Sequence, residues 1–368
     1  VFHLQNLRLF QYKNYKDVSF TFCPHINCLL GHNGAGKTNV LDAIYYLSFT
    51  KSYFQTNDLN CVMQNKENTY IVGSFVDENI EKKVELSWGN TDKKKLKVNN
   101  NDMKRYADHI GRFPVVIITP FDILLILEGS EERRKWIDSI LCQTNKLYLD
   151  TLMQYNRLIE QRNKLLKNHL AGNTLDPLVM ESYDEQLTQK GTYIFESRLA
   201  FIHNYVPIFQ SYYNQISENQ EVVKINYISH LQDNGMADLL NQNRIIDLTT
   251  GRTNRGIHKD EFDFLMNDRL LKKHASQGQQ KSYIIAMKLA QYEYLQEHCN
   301  IKPILLLDDI FEKLDAKRMH VLLNLIASEF FGQIFITDTH QERSQNILSG
   351  LATAQKYFMV NNGLINEI

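Results

Sequence analysis

The chain has 368 residues, of which 43% are hydrophobic and 23% charged, with a formal net charge of −1. Such a length carries two domains or one elaborated domain around a full core, and the near-zero charge excludes a polycation that coats nucleic acid along its whole surface. With no apolar run long enough to span a bilayer and no charged, apolar, small leader pattern, the expected setting is the cytoplasm, away from any membrane.

In chain order, segments 4–10 and 18–22 read as strands around a turn at Lys13, Asn14 and Tyr15. A mostly apolar run at 26–30 then enters Gly31-His32-Asn33-Gly34-Ala35-Gly36-Lys37-Thr38, and helical spacing follows at Val40, Leu41, Ile44 and Leu47. Strand, glycine-rich loop and helix together make G-x-x-x-x-G-K-T a phosphate cradle, expected to bind a nucleotide. The glycines let backbone N–H groups converge on phosphate, Lys37 adds a point charge, and Thr38 offers a hydroxyl to Mg²⁺. The helix that begins there turns its positive end towards the anion.

Segments 70–76 and 83–88 continue as a meander of short antiparallel strands, with turns at 89–90 and 99–102. The lysine-rich run 93–97 reads first as a guarded sheet edge and second as a DNA-touching patch. Segment 114–118 is a buried-type strand. Helical spacing then fills 130–168, breaks at Gly172-Asn173, and resumes from Asp176-Pro177 to about residue 218 through Pro207. A helix of that second length spans about 60 Å if straight, but the apolar positions keep no strict heptad, so a compact helical lobe is expected.

Strand character returns at 222–228, with a short helix at 237–241 and a hairpin from 261–266 to 270–271 across Asn267-Asp268. A helix is expected from 279 to about 296, a buried strand at 303–309, a helix at 316–329, and strands at 333–337, 356–360 and 364–365. Parallel-type strands at both ends of a helical middle imply one nucleotide domain interrupted by an insertion. Residues 1–120 and 255–368 form the head, and 121–254 the inserted lobe. The five cysteines, Cys23, Cys28, Cys61, Cys142 and Cys299, include no C-x-x-C pair and are expected as reduced thiols.

Leu305-Leu306-Leu307-Asp308-Asp309 supplies the second half of a nucleotide site. A strand buried on both faces delivers Asp308 to Mg²⁺, and Asp309, turned elsewhere by strand alternation, is placed to polarise a water for attack on the γ-phosphate. Ser276-Gln277-Gly278-Gln279 precedes a helix: Ser276 can cap it, Gly278 allows close approach, and the first turn offers N–H groups to an anion.

In their order, these stretches resemble the ATP-binding-cassette ATPases, and within them the RecF family of the SMC-like class. The resemblance runs over nearly the whole chain, including 51–54, 133–138, 161–163, 256–260 and 308–315. It implies an α/β fold, an ABC-type P-loop ATPase head of mixed sheet, helices and antiparallel strands with an inserted helical lobe. It further implies that Ser276, Gln277, Gly278 and Gln279 complete the ATP site of a second copy, that Asp315 lies on the D-loop, and that Lys37 and Asp309 act in catalysis. The implied function is that of a DNA-binding, weak ATPase in recombinational repair, an ATP-dependent homodimer working with RecO and RecR. It would help load a recombinase onto single-stranded DNA, with slow hydrolysis as the release step.

Three positions depart from the cassette pattern. Thr119-Pro120-Phe121-Asp122 stands where a Q-loop glutamine is usual, His340 is the candidate switch histidine at an open register, and Gly256-Ile257-His258 lacks the usual proline. For His258, a functional residue and a structural loop histidine are both open readings. Arg244, Arg252, Arg255, Lys259 and Arg269, and separately Arg133, Arg134 and Lys135, are candidates for DNA phosphate contacts. The alternatives are the ATP-hydrolysing subunit of a membrane transporter and a non-enzymatic scaffold that holds nucleotide for structure.

Overall fold

Leu4, Leu7, Leu9 and Tyr12 put one face of a strand, β1 (His3–Tyr12), on a core, with an irregularity in register between Leu4 and Asn6. The computed structural model describes residues 2–217, 221–310, 316–326, 330–348 and 353–368. β1 pairs antiparallel with β2 (Tyr15–Thr21). β3 (Ile26–Leu30) is buried along its whole length and leads through the glycine loop into α1 (Lys37–Phe49). β4 (Asn68–Asp77), β5 (Ile80–Gly89), β6 (Lys95–Val98) and β7 (Asn101–Asp102) complete an antiparallel sheet of order β2-β1-β4-β5-β6-β7. β8 (Val115–Ile118) is buried throughout and is followed by a 3₁₀ turn, Pro120–Ile123.

Next come α2 (Leu124–Leu127), α3 (Ser130–Thr144), α4 (Lys146–Leu170) and α5 (Pro177–Ser217). The helical stretch expected at 130–168 divides at Asn145, which leaves helical dihedrals and accepts a hydrogen bond from the Tyr148 N–H. Asp176 accepts from the Leu178 N–H and Pro177 takes the first position of α5, whose 41 residues run on through Pro207. β9 (Val223–Ile228), α6 (Met236–Gln242), α7 (Arg244–Thr250), β10 (Glu261–Met266), β11 (Arg269–Leu270) and α8 (Leu271–His274) follow. The expected strand at 270–271 therefore ends at Leu270, and Leu271 opens a helical turn.

The last third holds α9 (Gln277–Cys299), β12 (Ile304–Leu307), α10 (Ala316–Ile326), β13 (Ile334–Asp338), α11 (Gln341–Leu348), β14 (Gln355–Asn361) and β15 (Leu364–Glu367). These strands join β3 and β8 in a second sheet, ordered β15-β14-β3-β13-β12-β8, parallel except for the β14–β15 hairpin.

Contacts divide the chain into two compact units, one of residues 1–123, 212–219 and 277–368, the other of 124–211 and 220–276. In the first, the two six-stranded sheets and α1 share one core. Phe22 meets Phe335 edge to face at 4.7 Å, and α1 is buried almost all round. In the second, β9, β10 and β11 form a small antiparallel sheet among the helices. Two wholly buried arginines tie that unit together: Arg162 pairs with Asp184 at 2.7 Å and Asp247 at 2.8 Å, and Arg198 with Asp138 at 2.9 Å and Asp260 at 2.8 Å. Among the described residues no helix is long and apolar enough to cross a membrane.

Candidate functional site

Parallel register brings the C-terminal ends of β3, β13 and β12 to one edge of the sheet: Leu30 lies beside Asp338, and Ile336 beside Leu307. Loops leaving such an edge converge, and a ligand site forms there in open α/β sheets. The glycine loop leaves β3, and Asp308 follows β12 directly.

The loop's shape depends on glycine at two closely packed points. Gly31 has φ +154°, and a Cβ there would sit 2.3 Å from the Val360 carbonyl oxygen. Gly36, the N-cap of α1, has φ +115°, and its Cβ would meet the Asn14 side chain at 2.4 Å. Asn14 belongs to the β1–β2 turn and was read from sequence only as a turn residue. Its amide donates to the Ala35 carbonyl at 2.9 Å and accepts from the Asn39 amide at 2.8 Å, while the Tyr15 hydroxyl donates to the Gly36 carbonyl at 2.9 Å. The β1–β2 turn thus forms a wall that holds the loop open. His32, Asn33 and Gly34 are exposed; Ala35, Gly36 and Lys37 are buried.

The Lys37 ammonium donates to the carbonyls of Gly31 and His32 at 2.9 and 3.1 Å, which keeps it over the loop. The Thr38 hydroxyl lies 2.9 and 3.1 Å from the two Asp308 carboxylate oxygens. Asp308 also accepts from the Thr337 hydroxyl at 2.9 Å, and burial pushes its carboxyl up to about 6 against these hydrogen bonds, which lower it. A buried carboxylate beside a threonine hydroxyl is an all-oxygen donor pair, the kind a hard divalent cation such as Mg²⁺ takes.

Asp309 corrects one sequence reading. β12 ends at Leu307, so strand alternation does not set its direction; Asp309 adopts a left-handed backbone, φ +45°, tolerated by aspartate. Its N–H donates to the Thr337 hydroxyl at 2.8 Å. Thr337, wholly buried on β13, therefore holds both carboxylate residues and was not singled out from sequence. A side chain next to the last residue of a mostly apolar strand gives no local signal of that role.

Helix α9 begins at Gln277, two residues before its expected start, so Gln277, Gly278 and Gln279 occupy its first turn with Ser276 immediately before it. Ser276 and Gln277 are exposed. A Cβ at Gly278 would lie 2.8 Å from the Arg318 guanidinium of α10. The expected D-loop residue, Asp315, lies outside the described residues. His340 is exposed just past β13, and its N–H donates to the buried Asp338 carboxylate at 3.2 Å. Asp338 also accepts from Arg343 and Ser344, which hold its carboxyl below the usual carboxylate range despite burial; its backbone carbonyl accepts from the Gly31 N–H at 3.3 Å.

In the stretch 119–122, which has no Q-loop glutamine, Asp122 is buried and pairs with Lys288 at 2.7 Å. His258 is structural: Nε2 donates to the Thr253 carbonyl and Nδ1 accepts from the Tyr155 hydroxyl, both at 3.0 Å, and burial drives its pKa down to about 4. Arg133 and Arg134 donate to the carbonyls of Glu128 and Asp260, and Lys135 pairs with Glu131 and Glu132 at 2.8 Å, so that triplet braces its own unit. Lys94 pairs with Asp58 at 2.6 Å, whereas Lys93 and Lys95 are exposed. Arg252, Arg255, Lys259 and Arg269 are exposed; Arg244 is half-buried.

Residues 3–366 match the family model of the RecF/RecN/SMC N terminal domain, so the class defined by this fold and loop is the RecF and SMC head. The structure of the recombination mediator protein RecF-ATPrS in the RecFOR pathway superposes with a TM-score of 0.89 at 28% identity, covering 100% of this chain and 98% of that one. The chain is 41% identical over 365 residues to the DNA replication and repair protein RecF of Azobacteroides pseudotrichonymphae, covering 99% of both. It is 42% identical over 356 residues to that of Flavobacterium johnsoniae, covering 97% of this chain and 99% of the relative. The chain belongs to the RecF family. That membership displaces the transporter reading.

Proposed function

We propose that the chain is an ATP-gated, DNA-binding dimer of recombinational repair. The observation that carries this reading is the meeting of Thr38 and Asp308 beside the glycine loop. Gly31 to Thr38 wrap the phosphates with backbone N–H groups, and Lys37 exchanges its loop carbonyls for phosphate oxygens. Thr38 and Asp308 hold Mg²⁺, which when bound offsets phosphate charge. Asp309 orients water and accepts its proton, and His340 acts as the switch residue at the phosphate end. Exposed Ser276 and Gln277, with the N–H groups of the first turn of α9, close over the phosphates of a second copy. Asp315 contributes its D-loop contact there.

Occupancy by ATP sets the population of the closed dimer, and slow hydrolysis, stimulated by DNA, reopens it. Exposed Arg252, Arg255, Lys259 and Arg269 supply phosphate contacts to DNA at gaps and junctions, with little base readout. RecO and RecR are the proposed cytoplasmic partners in loading recombinase onto single-stranded DNA. Sizing the protein with and without ATP–Mg²⁺, as wild type and as Ser276→Arg, tests the reading. A wild-type dimer that needs ATP and is lost in Ser276→Arg is expected; a chain monomeric in every condition overturns it.

A further inference from the structure

Helix α9 carries the Gln277–Gln279 turn at its start and, about three turns further along, a buried lysine. Lys288 is 3% exposed and pairs at 2.7 Å with Asp122, itself 1% exposed. A buried ion pair is weak evidence for stability, because desolvation offsets most of its Coulomb gain, whereas removing one partner strands a charge. Its place in the fold is more informative than its strength.

Asp122 Oδ1 also accepts from the Tyr53 hydroxyl at 2.6 Å, and Oδ2 from the Thr119 N–H at 2.6 Å. The Lys288 ammonium lies 5.7 Å from the centre of the Tyr53 ring. Tyr53 in turn donates its backbone N–H to Asp42 Oδ1 at 2.7 Å. Asp42 is wholly buried on α1, one turn beyond Thr38, and its Oδ2 accepts from Tyr12, Lys13 and Ser52 at 2.8, 2.6 and 2.7 Å. A continuous run of charge-assisted hydrogen bonds therefore joins the helix that starts at the phosphate loop to the helix that starts at the Gln277–Gln279 turn, hereafter the signature turn. Such bonds are directional and short, and with Asp42, Asp122 and Lys288 buried and Tyr53 half-buried between them, a displacement at one end is little absorbed by water.

We infer that Asp42, Tyr53, Asp122 and Lys288 form a relay by which nucleotide on a chain's own loop positions that chain's signature turn for a second copy. This rests on the dimer reading proposed above and adds to it a direction of control: a chain with an empty loop presents a poorly placed turn to its partner, so the two sites of a dimer fill together. All four are positioning residues, since none belongs to the loop from Gly31 to Thr38 or to the Thr38–Asp308 pair.

The test uses the full chain carrying Ser276→Arg, which keeps it monomeric, and follows amide hydrogen exchange over 277–282 with and without ATP–Mg²⁺. With the relay intact, ATP slows exchange there by about tenfold, and Tyr53→Phe, which deletes one hydroxyl, abolishes the change while binding a fluorescent ATP analogue as before. The double variant Asp122→Asn/Lys288→Met, which leaves no unpaired charge, gives the same loss. Exchange that responds equally with and without the relay residues, or in neither, overturns the relay, as does loss of nucleotide binding in Tyr53→Phe. A wild-type chain that never dimerises with ATP instead overturns the dimer reading, whatever the exchange shows.

Discussion

The hydroxyl of Thr38 and the carboxylate of Asp308 lie 2.9 Å apart although 270 positions separate them in the chain. Neither residue can hold a divalent cation alone, and the loop and strand that carry them meet only because β3 and β12 flank β13 in one parallel sheet. Asp308→Asn keeps the shape and removes the charge. ATP hydrolysis measured by phosphate release is expected to fall by about a hundredfold or more, a loss of several kcal/mol of charge stabilisation. Unchanged hydrolysis would remove Asp308 from the site.

The loop glycines differ in what surrounds them, and substitution should separate them. A Cβ at Gly31 falls 2.3 Å from the Val360 carbonyl oxygen, which is rigid backbone, whereas at Gly34, φ +80°, no atom lies within 4 Å. Gly31→Ala is expected to cost about 2–4 kcal/mol in urea unfolding, and Gly34→Ala only the left-handed penalty of about 1 kcal/mol. Equal costs for the two would show that β14 yields.

His109 is wholly buried, its Nε2–H donating to the Leu47 carbonyl at 2.6 Å, and burial lowers its pKa to about 4. Folded His109 is thus neutral between pH 4 and the ordinary value near 6.5, while the unfolded chain binds a proton there. Stability from this residue is full above pH 6.5 and falls as the pH drops towards 4, by about 2 kcal/mol at pH 5. Urea midpoints at pH 7 and pH 5 should therefore separate less in His109→Gln than in wild type. A variant with the same separation as wild type refutes this assignment.

Gln333 bridges the two sheets of the head. Its Oε1 accepts from the Leu4 N–H at 2.7 Å, and its Nε2 donates to the carbonyls of Leu4 and Cys23 at 2.8 and 2.9 Å. Gln333→Leu matches the size but removes both bonds to the buried Leu4 backbone, while the Cys23 carbonyl keeps its bond from the Asn27 amide, so a loss of about 2–4 kcal/mol is expected by calorimetry or urea. A loss below about 0.5 kcal/mol, the range of surface substitutions, would mean the sheets hold without it.

What the sequence determined by itself is what adjacent residues decide together. The loop from Gly31 to Thr38 is legible because glycine dihedrals, a following helix and a lysine act within eight positions, and the strands 26–30, 115–118 and 304–307 because strands buried on both faces are apolar almost throughout, Asn27 being the exception. Asp176-Pro177 likewise marks the start of α5 from local chemistry. Asn14, Asp42, Thr337 and Gln333 were not legible as parts of the site or its frame. Each is a polar residue whose surroundings in the chain look like those of any turn, helix or strand end.

Tertiary structure alone decided which of these polar groups are buried and what they bond. It placed Thr337 between Asp308 and Asp309, turned Asp309 by a left-handed backbone rather than by strand alternation, and gave Lys288 to Asp122. The physical reason is that a buried polar group must find a partner wherever the fold brings one, and in a parallel sheet those partners come from strands far apart in sequence.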